Sequence, residues 1–238
     1  MFTKYKLVIV FIGLVLLGAC GSGGGGGGDS SSTSTPAPTP TDTNLAFQLF
    51  PAGFFSSGYT ETYQLSGSDT NGGAYTATLS ATTQAQTTFN GQPAIPVQSV
   101  VKITNTQTGA FVTGTSTGYH STDSGSRMYL GFTDNTTSTT YTAVSLNIIP
   151  QSAKIGDIGV VGTYSGGGET DQISWQLTNA NNGLANLVTN NTTTISGNLQ
   201  WSEEHIFVID QQGNRKSLTI KIYYASNGVT ITLSGNKQ

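Results

Sequence analysis

The sequence has few of the residues that cross-link folds or bind metals. Its 238 residues include one cysteine, Cys20, and two histidines, His120 and His205. A single cysteine excludes an internal disulfide, so the folded part must depend on its own core. A structural zinc site takes four ligands of the cysteine or histidine type, which this chain cannot assemble without relying on carboxylates. We therefore predict neither a metal site nor a cofactor.

Positive charge is also scarce. Lys and Arg together number 9 against 12 Asp and Glu, and the formal net charge is −3. The basic residues form no cluster along the sequence. Binding to nucleic acid depends on basic side chains that neutralise phosphates and release counterions. We therefore expect no nucleic-acid partner.

Patterns typical of amphipathic helices are absent as well. Apolar and polar residues alternate with a period of two, which is typical of strands that bury one face. Turn signals such as Asn71-Gly72 and Asn90-Gly91 separate the alternating stretches. The pattern predicts an all-β fold of antiparallel strands, arranged as a sandwich, a half-barrel or a curved sheet. The earlier predicted strands cover residues 60–66, 74–82, 95–104, 110–115, 127–133 and 139–149.

The clearest strand pattern lies at the C-terminus. Residues 205–210 predict one strand, and residues 217–225 and 229–234 alternate apolar and polar side chains beyond it. Asn227-Gly228 is typical of a two-residue type I′ turn, because both central residues of that turn need positive φ. These segments predict a three-stranded antiparallel meander. Its buried face is predicted to hold Ile220, Ile222, Ile231 and Leu233.

Residues 150–157 resemble a connection between two halves of the folded part. Two similar short segments lie on either side of it. Tyr63-Gln-Leu and Trp175-Gln-Leu are each followed by a hydroxyl residue and then by a glycine-containing turn. The sequence therefore leaves two arrangements open: one β domain, or two similar β lobes with a boundary near residues 150–157.

The first twenty residues have the pattern of an export signal. Lys4 and Lys6 precede an apolar run over residues 7–17. A positive start, an apolar stretch of about ten residues and small residues at the cleavage site are typical of a secretory signal peptide. The run is too short to cross a membrane, which takes about 20 residues. It ends in Leu17-Gly18-Ala19-Cys20, and this motif resembles the lipobox of bacterial lipoproteins.

The resemblance implies how the chain is processed and where it resides. Residues 1–19 would be removed by cleavage between Ala19 and Cys20. Cys20 would carry diacylglycerol on its sulfur, and its new amino group would receive a fatty acyl chain such as palmitate. The partner is then a membrane of the bacterial cell envelope, held through the lipid. Gly21 replaces the aspartate that retains enteric lipoproteins in the inner membrane, so the resemblance implies the outer membrane.

A low-complexity segment follows the cysteine. Residues 21–44 are rich in Gly, Ser, Thr and Pro and contain no apolar residue larger than Ala37. Such a composition offers nothing to offset the entropy of ordering the chain. We predict a disordered tether at residues 20–44, including the lipidated cysteine, and a folded β domain at residues 45–238.

One catalytic pattern occurs in the predicted domain. Residues 114–118 match the G-x-S-x-G nucleophile elbow around Ser116, and the order Ser116, Asp157 or Asp171, His205 is that of α/β-hydrolases. The elbow needs a helix directly after the serine, whereas the following residues predict a loop. We therefore interpret residues 114–118 as a turn between two strands.

The remaining polar candidates predict structural or solvated positions. Glu169 and Asp171 follow three glycines and are expected at an exposed hairpin tip. His205 is expected at a solvated strand edge and His120 in a loop. Strand aromatics such as Trp175 are expected in the core. No residue is predicted to be catalytic.

The sequence therefore supports a non-enzymatic envelope lipoprotein that binds another envelope component or a small apolar ligand. Two alternatives stay open. The first is a carrier that holds a lipid or another apolar ligand in a β cavity, and the second is a hydrolase that uses Ser116.

Overall fold

The described part of the chain consists of strands joined by turns. A computed structural model describes residues 44–238, and none of these residues lies in a helix. The strands are β1 (Ala46–Gln48), β2 (Thr60–Asp69), β3 (Ala74–Thr83), β4 (Thr87–Phe89), β5 (Gln92–Asn105), β6 (Phe111–Ser121), β7 (Tyr129–Asp134), β8 (Thr139–Leu146), β9 (Ser152–Lys154), β10 (Ile158–Gly166), β11 (Glu169–Asn181), β12 (Leu184–Ile195), β13 (Asn198–Ile209), β14 (Arg215–Tyr224) and β15 (Val229–Lys237). The all-β prediction is confirmed.

The large sheet closes on itself. Its thirteen strands follow the order β3-β2-β15-β14-β13-β12-β11-β10-β8-β7-β6-β5-β4, and β3 also pairs with β5. The additional pairing bypasses β4 and closes a barrel of 12 strands, with β4 as an extra strand beside the start of β5. Every pairing is antiparallel, from Leu79 opposite Val101 at the seam to Leu65 opposite Gly235 between the two ends of the chain. Closure leaves the strands of the wall without a free edge.

Alternating side chains line the barrel because successive residues of a strand point to opposite faces. In β14, Leu218, Ile220 and Ile222 are buried, whereas Thr219 is half-buried and Lys221 is exposed. The inner face of the barrel and the segment at one end share one core of buried apolar residues. Its bulkiest members are Phe47, Phe54, Tyr63, Tyr129, Phe132, Tyr141, Tyr164, Trp175 and Phe207.

One end of the barrel is covered by residues 45–59, which we call the cap. Its strand β1 pairs with β9 in a separate two-stranded sheet. The Gln48 amide donates to the Gln211 carbonyl, 3.0 Å away, in the turn between β13 and β14. The Phe54 ring is buried, with its centroid 4.8 Å from the guanidinium carbon of Arg215. The cap is therefore packed into the barrel end that holds Arg215.

The predicted meander is confirmed as β13, β14 and β15, but its second turn is longer than expected. Tyr224 pairs with Val229, so four residues form the loop. Gly228 has a φ of 68° and its amide donates to the Tyr224 carbonyl at 2.9 Å. The prediction of a two-residue type I′ turn was therefore wrong, although Gly228 does supply a left-handed conformation. On the predicted buried face, Ile220, Ile222 and Leu233 are buried and Ile231 is half-buried.

Residues 150–157 do not divide the sheet. They contain β9, and the strands on either side of them, β8 and β10, pair directly in the barrel wall. The large sheet therefore contains strands from both halves of the chain. Within the described range, no helix is long and apolar enough to cross a membrane.

Candidate functional site

A row of polar side chains runs along the inner wall where β11, β12 and β13 lie side by side. Each member is buried and shares its face of the strand with apolar core residues. We call this set the polar row. It consists of Asp171, Thr189, Asn191, Thr193, Glu203 and His205.

Asp171 is held by two donors from the neighbouring strand. The Asn191 side-chain amide donates to Asp171 Oδ1 at 3.0 Å, and the Thr193 hydroxyl donates to the same oxygen at 2.5 Å. Burial, with smaller contributions from the nearby carboxylates of Glu169 and Glu203, raises the pKa of Asp171 to about 6 despite these bonds. The charged form of Asp171 is thus destabilised inside the barrel.

Glu203 and His205 form a pair on β13. Their inward-facing side chains lie two residues apart, and His205 Nε2 is 2.6 Å from Glu203 Oε1. The Thr189 hydroxyl oxygen accepts the His205 backbone amide at 3.0 Å. These contacts hold the imidazole against the wall of the barrel, and His205 engages one carboxylate oxygen of Glu203.

Two acceptor oxygens of the polar row have no hydrogen-bond partner among the described residues. They are Asn191 Oδ1 and Glu203 Oε2, and both are fully shielded from solvent. Asn191 and Glu203 stand directly opposite each other in the β12–β13 register, so their side chains are cross-strand neighbours on the inner face. This arrangement presents two adjacent oxygens that can accept hydrogen bonds.

Aromatic rings lie beside the polar row. Tyr164 pairs with Asp171 across β10 and β11, and its hydroxyl donates to the Tyr129 carbonyl at 2.8 Å. The Tyr129 and Tyr164 rings meet edge to face with centroids 5.4 Å apart. Burial raises the pKa of Tyr129 well above its usual range, with Tyr164 and Asp171 adding to the effect. The Tyr129 hydroxyl has no hydrogen-bond partner among the described residues.

A second buried cluster lies at the capped end. Glu61 accepts from Arg215 Nη1 at 2.8 Å, from Lys237 Nζ at 2.8 Å and from the hydroxyls of Tyr59 and Tyr63 at 2.8 and 3.1 Å. We call these five residues the cap cluster. Burial alone would raise the pKa of Glu61, but Arg215, Lys237 and Tyr59 together lower it to about 2.

His120 lies at the same end, so the expected loop position was wrong. It is inside β6 and only 1% exposed, with its ring 5.0 Å from those of Phe55 and Tyr129. Burial, with smaller contributions from the charges of Arg127 and Arg215, lowers its pKa to about 3. The imidazole is therefore neutral at physiological pH.

A cleft of about 290 Å³ opens between the cap and the loop before β7. Arg127 lines it, with its guanidinium carbon 4.0 Å from the centroid of the Phe55 ring. Arg127 Nη1 donates to the Ser121 carbonyl. Because the guanidinium already stacks and donates within the protein, the polar row is the stronger candidate site.

The segment around Ser116 is not a turn, so that interpretation was wrong. Residues 114–118 lie inside β6, and Ser116 is buried opposite Ser99 and Asp134 in the sheet. A nucleophile elbow needs a sharp strand-to-helix turn. Asp157 lies at an exposed turn, where its carboxylate accepts the Lys154 amide at 2.7 Å. The strand geometry at Ser116 therefore lacks the feature on which the hydrolase alternative was based.

Two further expectations were wrong because inward-facing polar residues were read as surface residues. Glu169 and Asp171 flank a hairpin but are buried, and His205 is 2% exposed rather than solvated. A signal was available in the sequence. Asp171 is two residues from Ile173, and His205 is two residues from Phe207. Strict alternation therefore places both polar residues on the buried face. Trp175 lies in the core, as expected.

The fold and the polar row define a closed antiparallel β-barrel with a hydrogen-bonding strip on its inner wall. Comparisons with protein-family models, curated proteins and solved structures find no match to the chain. No group of three His, Cys, Asp or Glu side chains is arranged to hold a metal ion within residues 44–238. The predicted lipidation at Cys20 and cleavage after Ala19 lie outside the described residues.

Proposed function

We propose that this chain is a lipid-anchored envelope protein whose barrel binds a small amine with an apolar body. The observation that carries the proposal is the adjacent pair of acceptors, Asn191 Oδ1 and Glu203 Oε2, on the inner wall. Buried polar atoms in native proteins are almost always hydrogen-bonded, to protein, water or ligand. A buried pair of this kind therefore favours a bound molecule that donates hydrogen bonds.

The charge around the pair favours an ammonium group. Asp171 and Glu203 contribute carboxylates to the row, and Glu169 lies close enough to raise the Asp171 pKa. An ammonium group has three donors and no acceptor, which suits a set of acceptor oxygens. Its positive charge would compensate buried negative charge that is otherwise costly.

The neighbouring rings favour an apolar body on the same ligand. Tyr164 and Trp175 are buried on the inner wall, and Tyr164 lies opposite Asp171. A cation next to aromatic faces gains further electrostatic stabilisation. Barrels of about eight strands are filled by side chains, whereas larger barrels enclose cavities or channels. A wall of 12 strands is therefore suited to holding a ligand.

The proposed role is binding rather than catalysis. The imidazole of His205 is engaged by Glu203, and Ser116 lies in a regular strand rather than at an elbow. The predicted lipid on Cys20 and the tether at residues 21–44 would keep the binding domain at the envelope membrane.

Isothermal titration of the intact protein with phenethylamine tests this proposal, with 3-phenylpropanoate as the matched anionic ligand. We expect the amine to bind and the carboxylate not to bind. Glu203→Gln should weaken amine binding by about tenfold or more, because a hydrogen bond to a charged group contributes about 1.5–3 kcal/mol. Glu204→Gln is the matched control, since Glu204 is the next residue of β13, faces outwards and pairs with Lys221.

Two results would contradict the proposal. The first is equal binding of phenethylamine and 3-phenylpropanoate, or binding of neither. The second is an unchanged affinity for the amine in Glu203→Gln. Binding of neutral 2-phenylethanol as tightly as the amine would favour the second candidate function, a carrier of apolar ligands held by the aromatic lining.

A further inference from the structure

The outer wall of the barrel carries an apolar patch on β8 and β10. Four large apolar side chains there are exposed to solvent: Val144 by 69%, Ile158 by 60%, Ile148 by 56% and Val160 by 44%. We call these four residues the apolar patch. Exposed apolar patches of this kind on a folded protein mark contact surfaces more often than isolated apolar residues do.

Sheet register brings the members of the patch together. β8 pairs with β10, and the Asn147 amide donates to the Val161 carbonyl at 2.9 Å just beyond the end of β8. This bond places Ile148 beside Val160 on the neighbouring strand. Val144 is the extra residue where the register shifts between β8 and β10, and Ile158 begins β10. Leu146, which is 36% exposed, lies between Val144 and Ile148 and joins the side chains into one surface.

The tether joins the domain close to this surface. In the small sheet, Ala46 pairs with Lys154, and the antiparallel direction carries residues 44 and 45 towards residues 155 and 156. Three residues separate Lys154 from Ile158, and an extended chain covers about 3.3–3.6 Å per residue. Asn44 therefore enters the domain within a short distance of Ile158, at the capped end of the barrel.

The opposite wall has a different character. β2 lies six strands away from β10 in either direction around the barrel. Its outward-facing residues are polar, among them Gln64, Ser66 and Ser68. Exposed apolar side chains also occur on β6, β12 and β13, but those of β8 and β10 form the largest group and lie on the side at which the tether arrives.

We infer that the apolar patch rests on the lipid surface to which the chain is anchored. The inference depends on the proposed lipid anchor at Cys20, because the anchor and its tether hold the end of the barrel at which Asn44 enters within reach of the membrane. Apolar side chains at the boundary between headgroups and acyl chains gain free energy in proportion to the apolar area that leaves water. The patch would add this gain to that of the lipid and would fix which wall of the barrel faces the membrane.

The test uses the acylated full chain in vesicles of phosphatidylethanolamine and phosphatidylglycerol. Cys20 is the only native cysteine, so a thiol introduced by Ile158→Cys can be labelled with an environment-sensitive nitrobenzoxadiazole dye. We expect blue-shifted emission at position 158 and several-fold stronger quenching by spin-labelled lipid than at the control position, Ser66→Cys on β2. Val144→Cys is the second patch position and should behave like Ile158→Cys.

Three outcomes would overturn the inference. Equal emission and quenching at positions 158 and 66 would show that the patch stays in water. A blue shift without lipid quenching, growing with the ratio of protein to lipid, would show that a second copy covers the patch. Uptake of dye by the wild-type chain would show that Cys20 carries no lipid, and the anchoring proposal would fail together with the inference.

Discussion

Two buried carboxyl groups in this barrel have pKa values displaced in opposite directions. Glu61, in the cap cluster, is surrounded by donors and by the charges of Arg215 and Lys237, and its pKa falls to about 2. Asp171, in the polar row, has only neutral donors and lies near other carboxylates, so its pKa rises to about 6. In the cap cluster all four donors to Glu61 come from the protein, although Arg215 Nε and Nη2 have no hydrogen-bond partner among the described residues. The polar row has more acceptors than its protein donors satisfy, and this imbalance is typical of functional sites.

The largest expected effect comes from breaking the cap cluster. Arg215→Met leaves the Glu61 carboxylate without its fully buried ion-pair partner, and removing one partner of such a pair costs about 3–5 kcal/mol. Urea denaturation measures the change in the free energy of unfolding. Lys221→Met is the control, because its pair with Glu204 is largely exposed and such pairs contribute less than about 1 kcal/mol. Equal losses in the two variants would show that burial does not set the contribution of the Arg215–Glu61 pair.

A smaller effect of opposite sign is expected in the polar row. The Asp171 pKa is higher in the folded chain than in the unfolded chain, so the folded state binds more protons between pH 3.8 and about 6. Stability therefore falls as the pH rises through this window, by up to about 3 kcal/mol at pH 7. Asp171→Asn should flatten this part of the pH profile and should not lower stability at pH 7.5.

The pH profile of Asp69→Asn is the control for that experiment. Asp69 is a half-buried turn residue whose pKa is lowered, chiefly by the Tyr75 hydroxyl. Its removal should abolish a gain of stability with rising pH rather than a loss. If Asp171→Asn and Asp69→Asn change the profile in the same direction, the sign assigned to the Asp171 pKa shift is wrong.

His120 provides the smallest expected effect and extends the comparison to a base. Burial and the charges of Arg127 and Arg215 keep its pKa at about 3 in the folded chain. The unfolded chain therefore binds the proton first, and stability falls by about 1 kcal/mol between pH 6.5 and pH 5.5. His120→Gln should remove this slope whatever its effect at neutral pH. Unfolding curves at several pH values check the prediction, and an unchanged slope would contradict it.

The sequence predicted the strands of the barrel better than the location of its polar side chains. Alternation identified the meander and the buried positions of Ile220, Ile222 and Leu233. Closure was not predictable, because the pairings of β2 with β15 and of β3 with β5 depend on the accumulated twist and tilt of the whole sheet. Local alternation carries no information about which distant strands meet.

The polar row was missed for a different reason. Residue type favoured a solvated position for Glu203, Asp171 and His205, since charged residues are seldom fully buried. The alternation of their strands favoured the buried face. The alternation decides which face a side chain takes, because a strand that is buried on one face cannot shift its register by one residue without exposing every apolar side chain. In strands of this kind, a charged residue in phase with the core marks an interior site.

The pairing of β2 with β15 has a consequence for how the molecule assembles. Residues 63–69 pair with residues 231–237, so the contact that completes the wall joins segments from opposite ends of the domain. Such pairings have large sequence separation, and folding through them is slow because a long loop must close before the contact forms. A chain that crosses a membrane in the unfolded state from its N-terminus would leave β2 with an unpaired edge until β15 has emerged. Loss of residues 229–238, which contain β15, would leave two open edges in the sheet, and open edges invite pairing with other chains. Closure of the barrel and protection from aggregation therefore depend on the same strand.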